Sequence, residues 1–507
     1  MNPVELSLFS HRLATICEEM GAVLKRTAIS PNIRDRLDYS CAVFDPAGAL
    51  VAQAAHIPVH LGSMAFAMRG IVSGLEWRPG DMVVVNDPYL GGTHLPDVTL
   101  IAPLHVEGTL VAFVANRAHH ADIGGGTPGS MPLSRTLEEE GVIIPPSHLI
   151  REGSECTGVW DRLLGRLRDP AGARGDFRAQ IGANRNGLGR LSPLIGAMGI
   201  DAWLRACDAL NDYGEAIARA TLSRIPQGDY RFSDCMDDDG QGRQDIPIVV
   251  EMRVADGEVR LDFSASASQV PGNINCPLPV TAAAAFYVFR CLMPGEAPSC
   301  AGLFRPLHLT VPEGTLLNAL PPAAVAAGNV ETSSRVVDVV LGALLQALPE
   351  AIPAASQGTM NNLAMGGRDW GYYETMGGGM GAGPRYRGLD AVQSHMTNTL
   401  NTPVEVLERH LPVLVTRYAV RRGSGGRGRR RGGDGLIREF RFLQPATVTL
   451  LTERRRHPPW GAAGGGDGLP GRNLINGGEV PGKVTLEARE GDLLRIETPG
   501  GGGWGRK

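Results

Sequence analysis

The sequence VTLIAPLHVEGTLVAFVA, residues Val98–Ala115, decides the fold of the first part of the chain. Its two apolar runs, Val98–Leu104 and Leu110–Ala115, are separated by a stretch that contains Glu107 and Gly108. Apolar, β-branched runs on either side of a glycine turn are typical of a β-hairpin. The stretch therefore predicts two antiparallel strands, and we expect the loops that flank the hairpin to meet at its open end.

Outward from this hairpin, the hydrophobic pattern changes between helical and strand periodicity. It predicts helices over Pro3–Thr27, Gly175–Arg224, Val280–Leu292 and Ser333–Leu348, and strands over Asp38–Ala49, Met82–Val85, Tyr230–Cys235, Ile246–Val254 and Val259–Phe263. From Gly358 onward the density of glycine indicates tightly packed loops as readily as a flexible linker. The sequence therefore predicts a multi-layer, Gly-rich α+β fold with helices and mixed β-sheets.

The length of 507 residues implies roughly two to four domains and a large buried core. We expect a large single-chain subunit of two or three intimately packed domains. The expected boundaries give an N-terminal α+β domain over residues 1–175, helices and a β-meander over 176–355, and a Gly-rich, β-rich region over 356–507.

Composition and charge exclude several classes of protein. Lys and Arg number 49 against 53 Asp and Glu, a net charge of −4, so no nucleic-acid or membrane-surface partner is expected. The eight cysteines form no CxxC pair, and no cationic, apolar leader is recognisable, so disulfides are not expected and a cytoplasmic location is predicted. No apolar run reaches the about 18 residues of a membrane span.

The densest group of metal-binding side chains lies in two segments at the ends of the hairpin runs, Asn86–Asp97 and Arg117–Gly125. Mixed imidazole and carboxylate ligands suit Mn, Fe or Zn, and such an ion generates hydroxide or polarises a carbonyl near neutral pH. His119 and His120 point to opposite faces if extended, so we expect only one of them to be a ligand. The candidate residues, in order of preference, are His94, His119 and Asp122, then Asp87 and His120, with Asp97 orienting His94 from an outer shell.

Each of these residues also has a structural interpretation. Asp87 precedes Pro88 and is able to cap a turn, and a single histidine often forms a hydrogen bond inside a packed loop. The clustering of three histidines and three aspartates favours the metal site over these interpretations. His56 and His60 stand among apolar residues, which favours core histidines over ligands.

A second candidate segment, RRGSGGRGRRRGGDG over Arg421–Gly435, combines arginine forks with backbone amides that suit a phosphate or carboxylate. We select Arg422, Arg427 and Arg429 as candidates for binding the substrate or a phosphate. The segment contains the spacing GxGxxG but does not open a helix, which excludes a dinucleotide fingerprint. An RNA-binding segment is disfavoured because no aromatic residues are interleaved. No GxxxxGK[ST] motif is present, so any ATP is expected on another chain.

Several long motifs resemble the B subunit of the hydantoinase/oxoprolinase family. They are Arg36–Met64, Asn86–Leu100, Asn116–Pro132, Glu139–Pro146, Ala179–Gly187, Ser394–Glu408 and Arg421–Phe440. The resemblance implies a hetero-oligomer in which a hydantoinase A-type subunit binds ATP and phosphorylates a carbonyl or enol oxygen. It also implies a divalent metal, which motif identity assigns to His94, His119 and Asp122.

The resemblance favours an ATP-dependent hydrolase that opens a cyclic amide such as a hydantoin or 5-oxoproline. One alternative is a subunit of an acetone- or acetophenone-type carboxylase acting on a ketone. The other is a noncatalytic scaffold that holds the A subunit. Bound metal would separate the two enzymes from the scaffold, and dependence on bicarbonate would separate the carboxylase from the hydrolase.

Overall fold

The computed structural model describes residues 1–54 and 57–507. The helices are α1 (Pro3–Thr27), α2 (Pro31–Arg34), α3 (Pro58–Ser73), α4 (Leu137–Glu140), α5 (Thr157–Leu164), α6 (Pro170–Met198), α7 (Ile200–Leu222), α8 (Leu278–Leu292), α9 (Ser333–Ala347) and α10 (Val404–His410). Predicted helix α1 is confirmed; Asn2 and Glu5 form a capping box at its start. The helix predicted over Gly175–Arg224 is two helices, because the backbone of Gly199 has φ of +80° and ends α6.

The first sheet is antiparallel and has seven strands in the order β2-β1-β5-β4-β3-β6-β7. They are β1 (Tyr39–Phe44), β2 (Leu50–Gln53), β3 (Met82–Val85), β4 (Asp97–Val106), β5 (Thr109–His119), β6 (Ser147–Arg151) and β7 (Ser154–Glu155). The predicted hairpin is confirmed as β4 and β5, which turn at Glu107 and Gly108 with φ of 51° and 79°. Two positive φ values give the turn that matches the twist of paired strands.

The second sheet has the order β11-β10-β9-β8 and packs against α9, which in turn packs against α8. Its strands are β8 (Gly228–Asp238), β9 (Gln244–Ala255), β10 (Glu258–Asp262) and β11 (Leu307–Thr310). The predicted meander is therefore confirmed as β8 to β10. Strands β10 and β11 are parallel, whereas the other pairs in this sheet are antiparallel.

Two antiparallel sheets follow, with the orders β13-β12-β16-β19 and β14-β15-β20-β17-β18. Their strands are β12 (Asn362–Gly366), β13 (Gly371–Glu374), β14 (Val413–Arg421), β15 (Gly435–Phe442), β16 (Ala446–Leu451), β17 (Arg472–Ile475), β18 (Gly478–Val480), β19 (Lys483–Ala488) and β20 (Leu493–Glu497). The predicted α+β class with several sheets is confirmed. The three domain boundaries stay a prediction.

Segments 376–383, 423–435, 461–468 and 500–505 pack backbone against backbone, and we call them the glycine layer. Gly433 donates its amide to Met380 O at 2.8 Å, Gly501 donates to Gly433 O at 3.0 Å, and Gly426 donates to Gly501 O at 2.8 Å. A Cβ atom on Gly433 would lie 1.8 Å from Leu389 O. The glycines are therefore needed for close approach, and the layer is a packed structure rather than a linker.

Within residues 1–54 and 57–507, every helix is too short or too polar to cross a lipid bilayer.

Candidate metal centre

The open end of the β4–β5 hairpin brings together His94, Asp97 and His119. Asp97 is the first residue of β4 and pairs directly with His119, the last residue of β5. His94 lies in the loop before β4, after a short 3-10 turn over Pro88–Leu90. The hairpin register therefore places a carboxylate and an imidazole opposite each other, and the preceding loop adds the second imidazole.

The three side chains have the geometry of a metal-binding group. One ligand atom from each lies within 4.8 Å of the other two, and all three residues are buried. His94 Nε2 is 3.2 Å from Asp97 Oδ2. Asp97 Oδ1 and His119 Nε2 have no hydrogen-bond partner anywhere in the described chain. Because buried polar atoms are nearly always paired, these two atoms indicate that a further group belongs between them.

His119 is held in place by two neighbours. Its Nδ1 forms a hydrogen bond of 3.1 Å with the side-chain amide of Asn32 in α2. Its ring stacks on Tyr373, with centroids 4.8 Å apart and planes 7° apart. Burial lowers the pKa of His119 well below its ordinary value, so the ring is neutral and has a lone pair to offer. A neutral, oriented imidazole is the form that binds a metal.

Asp97 is ionised and receives several contacts. Burial alone would raise its pKa, but the nearby His94 and His60 imidazoles hold the pKa well below its ordinary value. Thr93 donates its hydroxyl to Asp97 Oδ2 at 2.7 Å, and the amide of Asn329 donates at 3.3 Å. His60 Nε2 lies 3.3 Å from the same oxygen. Asp97 Oδ2 is therefore held by several polar neighbours, while Asp97 Oδ1 remains available to a ligand.

A cavity of about 20 Å³ lies against Asp97 and His119. This volume is close to the roughly 10–15 Å³ that one water needs. Asp38, the residue before β1, also lines the cavity. Its carboxylate accepts no hydrogen bond from any residue in the described ranges, and Arg36 is 3.9 Å away. Burial raises the pKa of Asp38. The cavity thus has a second carboxylate able to bind a cation or accept a proton.

Sequence reasoning missed three contributors, namely Asp38, His60 and Asn329. His60 was interpreted as a core histidine and is indeed buried, but it contacts Asp97 and Ser40 through side chains. Asn329 lies in a π-helical turn, Gly328–Thr332, that leads into α9. Such turns are frequent at functional sites, but no sequence signal locates them. His56 lies outside the described residues.

The structure does not bring Asp87, His120 or Asp122 into the group. Asp87 accepts a hydrogen bond from the backbone amide of Tyr89, in keeping with the structural interpretation that it caps a turn. His120 points away from His119, contacts Gln180 at 2.9 Å and packs on Phe177. Asp122 accepts hydrogen bonds from the amides of Gly124 and Arg168 and from the Ser130 hydroxyl, so it stabilises its own loop. The carboxylate of the metal-binding group is that of Asp97 instead of Asp122.

Arg427 and Arg429 lie in the glycine layer, and Arg422 directly precedes its segment 423–435. Arg422, Arg427 and Arg429 are exposed, and none of them lines the cavity beside His119. The Arg429 guanidinium lies 5.0 Å from the centre of the Trp504 ring. Their role toward an anion stays a prediction.

A buried chain of contacts leads from His119, through the Tyr373 ring that stacks on it, to Glu331. The Tyr373 hydroxyl donates to Asn362 Oδ1 at 2.7 Å, and Asn362 Nδ2 donates to Glu331 Oε1 at 2.6 Å. Glu331 Oε2 has no partner within the part of the chain that is described. Burial, reinforced by the nearby Glu453 carboxylate, raises the pKa of Glu331 to about 8. Glu331 therefore carries a proton in the folded protein at neutral pH.

Glu331→Gln is expected to stabilise the protein increasingly as pH rises. Folding raises this pKa from 4.5 to about 8, so the folded state takes up a proton in that window and wild-type stability falls as pH increases through it. Glutamine keeps the Oε1 acceptor and has no proton to lose. The difference in the free energy of unfolding should grow by roughly 2–4 kcal/mol between pH 5 and 9. Urea unfolding of both proteins across this range measures it, and a constant difference would contradict it.

The whole chain matches known proteins. Residues 2–507 match a family model described as Hydantoinase B/oxoprolinase. The sequence is 41% identical to 5-oxoprolinase 1 of Arabidopsis thaliana, over 99% of this chain and 42% of that protein. The chain thus spans about two fifths of the length of the first curated relatives it matches.

Two solved structures share the fold. The ATP-dependent caprolactamase of Pseudomonas jessenii superposes with a TM-score of 0.93 and 29% identity, over 100% of this chain and 91% of that one. Acetone carboxylase superposes with a TM-score of 0.88 over 100% of this chain and 76% of that one. Its identity of 18% shows likeness of fold alone.

Proposed function

The chain belongs to the hydantoinase B/oxoprolinase family, and from that premise we propose that it is the hydrolytic subunit of a cytoplasmic, ATP-dependent amidohydrolase that opens a cyclic amide. One observation carries the proposal: buried His94, Asp97 and His119 each offer a ligand atom within 4.8 Å of the other two, and Asp97 Oδ1 and His119 Nε2 have no hydrogen-bond partner in the described residues. A site built for hydrolysis needs such a preformed, dry set of ligands.

The residues fit a divalent ion. His94, Asp97 and His119 would hold it, and Asp38 at the same cavity is left as a carboxylate that accepts a proton. Imidazole nitrogens and carboxylate oxygens suit Zn, Mn or Fe. When bound, such an ion supplies Lewis acidity toward a carbonyl oxygen and lowers the pKa of water.

The chain's own residues then have distinct tasks. Asn32 and Tyr373 orient His119, while Thr93, Asn329 and His60 fix Asp97. Asp38 is placed to accept the proton that a water loses when its oxygen adds to the carbonyl carbon. The C–N bond then breaks and the nitrogen takes up a proton. The small cavity beside Asp97 and His119 has room for about one water.

We propose that a partner subunit of the A type binds and uses the ATP. An amide is a poor electrophile, and transfer of a phosphoryl group from ATP to its oxygen, with release of ADP, makes the carbonyl carbon easier to attack. After water adds and the C–N bond breaks, the phosphoryl group is left on the new carboxyl group, and hydrolysis of that acyl phosphate releases inorganic phosphate. The name of the solved caprolactamase states that it is ATP-dependent. The part of the Arabidopsis protein that this chain does not match leaves room for the A-type portion that the resemblance implies. Arg422, Arg427 and Arg429 remain our candidates for an anion that reaches the glycine layer.

The test combines the chain with an A-type subunit and measures ADP release and ring opening for 5-oxoproline, caprolactam and a hydantoin. We expect amide-dependent turnover that a chelator abolishes and that Mn, Fe or Zn restores. Full turnover of metal-free protein would refute the proposed mechanism. A chain that binds no stoichiometric metal would be a scaffold, and turnover of a ketone that requires bicarbonate would identify a carboxylase.

A further inference from the structure

One segment of the chain, Ala326–Glu331, reaches all three residues of the metal-binding group, either directly or through a short series of contacts. We call it the support segment. Most of it lies in the π-helical turn Gly328–Thr332, which is buried. Ala326 is 232 residues away from His94 along the sequence, so only tertiary packing brings the support segment to the metal centre.

The backbone of the support segment orients His94. The Nδ1 atom of His94 donates a hydrogen bond to Ala326 O at 3.3 Å, while its Nε2 lies 3.2 Å from Asp97 Oδ2. A carbonyl oxygen can only accept, so the proton of the neutral ring is on Nδ1 and the lone pair is on Nε2. A metal-binding histidine is commonly held in this way through its other nitrogen.

The π-helical turn supports the other two residues of the group. The side-chain amide of Asn329 donates to Asp97 Oδ2 at 3.3 Å. Two residues later, Glu331 begins the buried chain of contacts that ends at the Tyr373 ring stacked on His119. Residues two apart on a helical turn point to different sides, so this one turn supports a carboxylate and an imidazole from two directions.

Two buried glutamates, Glu140 and Glu331, hold this arrangement, and neither is a member of the metal-binding group itself. Glu140 is the last residue of α4, and its Oε1 accepts the backbone amides of Val325 and Ala326, each at 2.9 Å. Glu140 therefore fixes the residue whose carbonyl oxygen faces His94.

Both glutamates use one carboxylate oxygen for all their hydrogen bonds. Glu140 Oε1 also accepts the Ser134 hydroxyl at 2.7 Å, and Glu331 Oε1 accepts the Met360 amide at 3.0 Å besides the amide of Asn362. The Oε2 atom of each glutamate has no partner in the described part of the chain. Each glutamate thus serves as an acceptor atom at a fixed place.

We propose that Glu140 and Glu331 are positioning residues of the metal centre, and that they act through the support segment on His94 and His119. The inference rests on the proposed function, because it concerns the divalent ion that the three ligands would hold. What each glutamate contributes is its acceptor oxygen, which keeps an imidazole in one orientation before the ion binds. Less order then has to be imposed on binding. Loss of such an outer partner typically weakens metal binding by roughly 10–100-fold.

Calorimetric titration of the metal-free, 507-residue chain with Zn²⁺ tests the inference. Glu140→Ala and Glu331→Ala should each weaken Zn²⁺ binding at least about tenfold. Glu140→Gln and Glu331→Gln keep the Oε1 acceptor, so both should bind Zn²⁺ as tightly as wild type. The absorption spectrum of bound Co²⁺, which reports the arrangement of the ligands, should change in the alanine variants and stay unchanged in the glutamine variants.

Tyr373→Phe interrupts the same chain of contacts with less risk to folding. It removes the hydroxyl that donates to Asn362 and keeps the ring that stacks on His119. We expect weaker Zn²⁺ binding, as for Glu331→Ala, so the test remains decisive even if an alanine variant fails to fold. Thermal unfolding of each variant shows which of them are folded.

Thr332→Val is the matched control. Thr332 is buried in the same π-helical turn, and its hydroxyl donates to Ile274 O, which does not lead to any of the three ligands. The control therefore loses one buried hydrogen bond from the same turn, and its affinity for Zn²⁺ should equal that of wild type.

Wild-type Zn²⁺ affinity in both alanine variants and in Tyr373→Phe would overturn the inference. Glutamine variants that lose Zn²⁺ as the alanine variants do would also overturn it, because the charge would then be what matters. If the assembled enzyme hydrolyses an amide in either case, the proposed function stands. The expected Zn²⁺ affinities without any amide hydrolysis would refute the proposed function alone, and a wild-type chain that binds no metal would refute both.

Discussion

Asp97→Asn should lower turnover about a thousandfold and release the divalent metal, the largest chemical effect that any single substitution is expected to have. Asparagine retains an oxygen for the Thr93 hydroxyl but loses the negative charge that His94 and His60 face. Loss of about 4 kcal/mol of transition-state stabilisation corresponds to that factor. Metal analysis of the purified variant and the ATP-coupled ring-opening assay measure the two effects.

Asp122→Asn is the informative control, because motif resemblance selected Asp122 and the geometry selects Asp97. Asp122 contacts Gly124, Ser130 and Arg168, so its replacement should loosen that loop while the metal content stays at the wild-type level. If the Asp122 variant lost its metal and the Asp97 variant kept it, our assignment of ligands would be wrong. Thermal unfolding of both variants shows whether either has merely failed to fold.

Gly433→Ala should have the largest effect on stability. The new Cβ would meet Leu389 O at 1.8 Å and Leu389 C at 2.5 Å. Both are backbone atoms, so no side-chain rotation relieves the clash, and Gly433 itself bonds Met380 and Gly501. We expect a loss of about 3–5 kcal/mol in the free energy of unfolding, a large share of the total for a typical protein.

Gly295→Ala separates this steric effect from the general cost of replacing glycine. A Cβ at Gly295 meets nothing within 4 Å, so the change should lie within about 0.5 kcal/mol of wild type. Denaturant unfolding of both variants provides the comparison. Equal stabilities would mean that the glycine layer tolerates side chains and is not closely packed.

The individual helices and strands could be predicted from the sequence because the patterns that specify them are local. The β4–β5 hairpin follows from two apolar runs around one turn, and α1 follows from the helical spacing of its apolar residues. The sequence did not determine whether the glycine-rich segments are packed or flexible, because glycine has no side chain whose pattern could distinguish the two. The contacts of the glycine layer join segments such as 376–383 and 500–505 that lie far apart in the chain.

The candidate site could be predicted in part for the same reason. The hairpin predicts that His94 and His119 meet, and both lie in the group. The hairpin does not indicate whether Asp97 binds the metal itself or orients His94. The structure places Asp97 directly among the candidate ligands. Asp38, His60 and Asn329 come from other elements, so only tertiary packing brings them to the cavity. Asp87 and Asp122 attract attention as acids near histidines, although their carboxylates serve local turns.

The pairing of Asp97 with His119 makes the small turn at Glu107 and Gly108 a determinant of chemistry. Deleting one residue between that turn and His119 would shift β5 by one position, turning His120 toward His94 and Asp97 and His119 toward the side where His120 contacts Gln180. The two imidazoles would then exchange surroundings, although neither residue had been altered. The assembly of the candidate metal centre is thus encoded as a count of residues along a strand as well as in the side chains themselves.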